Sequence, residues 1–193
     1  MTSIHVEPNT IHINAKRVIE TRIAESMGFN KYKQIMERVR NTNVSSDKDF
    51  QRTFNSYYRI RRNEEWQTIF YDLFETIKDS EPSFEQIISG LYKNTGNIEA
   101  SFSSKMLATI NSDMPIWDRY DVHNLCLNVK GKTKEEQLRC TVDLYDQMVR
   151  WYSIFLDTPN GRECIEEFDR ILPEYKWMSS VKKIDFYLWS IRE

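Results

Sequence analysis

Between Glu64 and Lys78 the apolar side chains Trp66, Ile69, Phe70, Leu73, Phe74 and Ile77 recur every three or four positions, and stretches with this period fill most of the chain. Such spacing stacks side chains on one face of an α-helix. A chain patterned this way has an apolar stripe to bury at nearly every step, so it folds as helices packed on helices. Its five glycines and five prolines leave few places for the backbone to break. Long helices with short connections are therefore expected in an all-α, compact multi-helix domain.

Spacing and capping residues predict about nine helical segments. Ala15 to Met27 and Lys31 to Val39 come first, with Asn30 as a cap between them. Asp47 to Ile60 and Glu64 to Lys78 follow, the latter expected as the central core helix. Ser83 with Gln86 forms a capping box that opens a helix to about Lys93, and Asn94 to Asn97 breaks it. Helices are then expected over Phe102 to Ile110 and Asp118 to Leu127. Thr133 with Glu136 opens the longest helix, reaching Phe155; Thr158-Pro159 starts the next, and Ser180 caps the last, Val181 to Ile191. Only Ser3 to Val6 and Thr10 to Ile13 alternate as strands do. One domain is expected over residues 1–193, with lobes 1–93 and 94–193 around a cleft.

Several function classes drop out. No stretch approaches 18 apolar residues and no apolar signal core follows Met1, so a soluble, cytoplasmic protein without a membrane role is expected. Cys126, Cys140 and Cys164 are widely spaced and odd in number, which suits buried, reduced thiols. His5, His12 and His123 are scattered, so no metal site is expected, and no glycine-rich nucleotide loop or other cofactor motif is present. The formal net charge is −2, so any nucleic-acid binding must come from a local patch.

One such patch is Tyr57-Tyr58-Arg59-Ile60-Arg61-Arg62, where Tyr58, Arg59, Arg61 and Arg62 combine stacking surface with phosphate-binding charge. A second constellation lies in Ser101-Phe-Ser-Ser-Lys105 and Met114-Pro-Ile-Trp117-Asp118-Arg-Tyr-Asp121. On a helix, Phe102, Met106 and Ile110 form an apolar stripe. Ser101, Lys105, Ala108 and Thr109 lie toward a face of small residues that another molecule or backbone can approach closely, outside the core. After Ile110 a reversal through Pro115 can return Asp118, at a helix start, toward the Lys105 helix. A lysine and a carboxylate so placed suit nucleophilic or Schiff-base chemistry.

These two segments resemble the catalytic stretch of the helix-hairpin-helix DNA glycosylase superfamily, in particular the divergent group with an 8-oxoguanine DNA glycosylase fold. The likeness is best over about Asn94 to Leu127. It implies a DNA-binding, base-excising protein in which Lys105 attacks the sugar C1′ and Asp118 stabilises the developing positive charge. Asp121 is the rival for that second role. Trp117 would stack on a flipped base. The family's glycine-rich hairpin is replaced by Thr95-Gly96-Asn97-Ile98, so phosphate anchoring falls to free N–H groups at the helix start and to the hydroxyls of Ser101, Ser103 and Ser104. A second expectation, from a different class, is a non-catalytic helical interaction or nucleic-acid-binding protein that keeps this scaffold.

Overall fold

The computed structural model describes residues 6–8, 10–22 and 28–191, and among these every regular element is helical. Ten α-helices follow in order: α1 Ala15–Arg22, α2 Phe29–Arg38, α3 Lys48–Tyr58, α4 Glu64–Ile77, α5 Phe84–Thr95, α6 Ala100–Ile110, α7 Arg119–Asn124, α8 Lys134–Asp157, α9 Pro159–Ile171 and α10 Ser180–Ser190, with a single 3₁₀ turn at Pro173–Tyr175. Thr10 to Ile13 is not a strand, and most of Ser3 to Val6 lies outside the described residues, as does the expected extension of α1 past Arg22. No helix among the described residues is long and apolar enough to cross a membrane.

The chain divides into a contiguous unit, Gly28–Asn111, and a split unit, Met1–Met27 with Ser112–Glu193. The break over Asn94 to Asn97 is therefore not a lobe boundary. It is the connection between α5 and α6, which pack on each other inside one unit after Gly96 closes α5 in the left-handed conformation (φ 68°).

The contiguous unit holds α2 to α6. Local chemistry starts its helices: the Asp47 carboxylate accepts from the Asp49 and Phe50 amides, Asn63 accepts from Trp66, and Ser83 with Gln86 completes the capping box. Gly28, and not Asn30, occupies the cap position of α2, in a left-handed conformation (φ 69°) that costs glycine little. The core is aromatic. Phe54 of α3 meets Phe50, Tyr58, Phe70, Tyr71 and Phe74, four of them edge-on or tilted, and all six are buried. Edge-on ring pairs add about 1 kcal/mol each to what burial contributes. The helix enclosed on all sides is α6, buried from Ser103 to Ile110. Its small residues admit neighbours closely all round, so it takes the central place that the apolar stripe of α4 had suggested for that helix.

The split unit is organised in the same way around α10, buried from Val181 to Leu188 and packed on α1, α7, α8 and α9. Ser179, one residue before the expected Ser180, caps it by accepting from the Lys182 amide. The long helix α8 opens with the Thr133–Glu136 capping box and buries Leu144, Tyr145, Met148, Trp151, Tyr152 and Phe155. Thr158 Oγ1 then accepts from the Gly161 amide at 3.0 Å to start α9. Helix α7 stops at Asn124, short of the expected Leu127. Cys126 adopts the left-handed conformation (φ 52°), the Leu127 amide donates to the Val122 carbonyl at 2.9 Å, and the Cys126 amide donates to His123 at 3.0 Å. That is the Schellman closure, with cysteine where glycine is usual. Its thiol is exposed, unlike the buried Cys140 and Cys164, and none of the three is in a disulfide.

Candidate functional site

In the contiguous unit, Lys105 sits in the middle of α6 and is only 9% exposed, which corrects the expectation that it stands outside the core. The face of small residues is covered by the chain itself. The Lys105 ammonium donates to the Tyr58 backbone carbonyl at 3.4 Å, and lies 5.3 Å from the Phe102 ring centre and 6.0 Å from that of Tyr58. Tyr58 is held in turn: its hydroxyl shares a hydrogen bond of 3.3 Å with Thr109 Oγ1, one helical turn beyond Lys105. A lysine among ring faces and a carbonyl is a desolvated amine that keeps a polar contact.

Tyr58 is the last residue of α3, so the carbonyl that Lys105 touches directly precedes the arginine run. Arg59 is exposed and left-handed (φ 55°), with the Ile60 amide reaching back to the Asn55 carbonyl at 2.9 Å. Arg61 is exposed as well. Arg62 is committed elsewhere: its Nη2 lies 2.9 Å from both carboxylate oxygens of Glu99, and the guanidinium packs over Trp66 and Phe102 at 5.5 and 5.3 Å. Glu99, which sequence reasoning missed, is 5% exposed and also accepts from Trp66 Nε1 at 3.1 Å. Nothing in its spacing marks it, because its partners come from the α3–α4 connection and from α4.

The serines divide. Ser101 is half-buried near the start of α6, where no side chain caps the helix. Ser104 donates to the Ser101 carbonyl at 2.9 Å and is buried, and Ser103 is buried with its hydroxyl unpartnered. Of the three, Ser101 alone has surface that a phosphate could reach.

Asp118 and Trp117 belong to the split unit. Asp118 is the half-buried N-cap of α7, and its Oδ1 accepts from the Tyr120 amide at 3.1 Å. Trp117 is buried, so it offers little ring face for stacking. Beneath α7 lies a buried polar cluster. Asp121 is 1% exposed, in the turn that Asp118 caps; Asp185 of α10 is 4% exposed and accepts at Oδ1 from Tyr152 (2.7 Å) and the Ile116 amide (3.3 Å). Lys182 Nζ stands 3.8 Å from Asp185 Oδ2, an ion pair beyond hydrogen-bond reach. Burial is the largest cause pushing the Asp185 carboxyl up to about 6, against the pull of Lys182 and the Tyr152 hydroxyl. Burial, then the charges of Asp185 and Asp118, push Asp121 well above the carboxylate range. Asp121 was legible as a rival carboxylate; Asp185 stands in the sequence beside Lys182 and Lys183, and nothing local marks it as buried.

Among the described residues no group of three or more His, Cys, Asp or Glu side chains could hold a metal ion. No family model, no curated protein and no solved structure matches this chain.

Proposed function

We propose that this chain is a DNA-binding protein of the glycosylase type, in which Lys105 is the nucleophile; the role of Asp118 is carried by the resemblance of its segment alone. The observation that carries the reading is the junction of Lys105 with the end of α3. A desolvated lysine touches the Tyr58 carbonyl, and the next residues include the exposed arginines Arg59 and Arg61. Lys105 is one of four buried lysines among the described residues, and amines removed from water are those that Schiff-base chemistry recruits. Exposed arginines beside one supply the phosphate contacts that would bring a nucleic-acid backbone to it. An arginine in a left-handed turn where glycine costs less also favours a role for its side chain. Thiols outside any disulfide, one of them exposed, suit a reducing, cytoplasmic setting.

Borohydride reduction in the presence of DNA bearing modified bases or abasic sites tests the lysine. A covalent adduct with the native chain, lost in Lys105→Gln and weakened in Asp118→Asn, is the expected result; no adduct across a broad substrate panel sinks the enzyme reading. Replacing Arg59 and Arg61 by alanine should weaken DNA binding and lower the slope of log affinity on log salt by about one for each phosphate no longer neutralised.

A second reading has its own observation. Lys105 is held inside α6 by the chain's own carbonyl and rings, which also describes a structural lysine in a non-catalytic nucleic-acid-binding scaffold. In that case Arg59 and Arg61 variants lose DNA binding, while Lys105→Met binds as the native chain does.

A further inference from the structure

Two carboxyl groups in the split unit are buried and each keeps one oxygen without a hydrogen-bond partner: Asp121 Oδ1 and Asp185 Oδ2. Asp185 Oδ1 takes Tyr152 and Ile116. Around them, α7 contributes Asp118, α8 contributes Tyr145 and Tyr152, and α10 contributes Lys182. The Tyr145 hydroxyl is spent on the Pro115 carbonyl at 2.7 Å. On α9, Asp169 is taken by Lys183 at 2.6 Å, and on α1 the charged Lys16, Arg17 and Glu20 are exposed. Among the described residues one ammonium, that of Lys182, thus stands beside two enclosed carboxyls, leaving one negative charge uncompensated. A proton removes that charge, whereas two bare carboxylates would leave two enclosed charges and their full repulsion.

We propose that Asp121 and Asp185 share one proton at neutral pH, and that this protonated pair is a latch that seats α7, with Asp118 at its head, against α10. Asp121 lies in the first turn of the helix that Asp118 caps and touches no substrate, so it is a positioning residue. That consequence for Asp118 rests on the glycosylase-type reading; the latch does not.

The sign follows from which state holds the proton. With α7 seated, the carboxyls bind protons at a pH where exposed ones have lost theirs, so raising the pH favours opening. The opening constant grows up to about a hundredfold per pH unit from about 4, where exposed aspartates ionise, while both seated carboxyls hold protons, and about tenfold per unit once only one does. Asp185 gives up its proton at about 6, and Asp121 carries the dependence higher.

The test uses the full chain. The side-chain carboxyl carbons of Asp121 and Asp185 are followed by nuclear magnetic resonance from about pH 4 to about pH 9, with hydrogen exchange at the Tyr120 amide, corrected for intrinsic exchange, reporting the opening of α7. The expected result is one proton retained between the two carboxyls at neutral pH, and Tyr120 opening that rises with pH from about 4. In Asp121→Asn the amide replaces the proton with a permanent donor, so opening loses most of its pH dependence; Asp185→Asn provides the second variant. Both carboxyls ionising in the ordinary range, or an Asp121→Asn profile that follows the native one, overturns the latch. Should neither variant fold, the native carboxyl titration decides by itself. A working latch without a borohydride adduct would reject the enzyme reading alone, and an adduct without the latch would reject only this proposal.

Discussion

Arg62 spends its guanidinium on Glu99, while Arg59 and Arg61 are exposed, so three arginines within four positions have different work. Removing Arg62 leaves a carboxylate that is 5% exposed with Trp66 Nε1 as its remaining donor. Because the arginine side chain is 42% exposed, solvent screens part of the pair, and Arg62→Ala should cost about 1 to 2 kcal/mol in urea unfolding. Arg61→Ala should change stability by less than about 0.5 kcal/mol while weakening DNA binding. Equal stability losses in the two variants would contradict this division. The arginine run itself was legible because charge and aromatic density are local properties. Glu99 was not, since only the fold brings it under Arg62. Lys105 shows the same limit: helical geometry placed it on the small-residue side of α6, but what covers that side, Tyr58, lies 47 positions away.

Helix starts were readable where a few adjacent residues carry the whole motif. Ser83 with Gln86 and Thr133 with Glu136 form the reciprocal bonds their spacing implies, and Thr158-Pro159 opens α9. Helix ends were harder when a non-glycine residue takes the left-handed position. The sequence near Cys126 contains no glycine, so α7 was expected to run on to Leu127, whereas it closes there by backbone bonds alone. Cys126→Gly should therefore relieve strain and stabilise the protein by about 1 kcal/mol, read as a higher midpoint in thermal or urea unfolding. A loss of stability would mean that the thiol makes a contribution its exposure does not suggest. Asn30 is the converse: a good capping residue displaced into the first turn because Gly28 already supplies the backbone geometry that starts α2.

At the level of the whole molecule, all-α architecture followed from period and scarcity of breakers, but the division into units did not. A composition shift marks a linker; here the boundaries, 27/28 and 111/112, fall at Met27-Gly28 and Asn111-Ser112 with no such shift. The contiguous unit has its own aromatic core, from Phe50 to Phe74, and its own enclosed helix, α6. Expressed alone, residues 28–111 should give a helical circular-dichroism spectrum and a cooperative melt, and a featureless melt would show that its core is insufficient. The split unit is built the other way. The Ile13 amide donates to Asn160 Oδ1 and the Ile13 carbonyl accepts from Asn160 Nδ2, across 147 positions. On a ribosome the strand of chain that becomes α1 emerges early and has to wait for α9 and α10, while everything needed by the inserted unit is already outside the tunnel. Folding thus has an order written into its connectivity, the insert before its host, because α1 meets α9 and α10 only across the whole length of the insert.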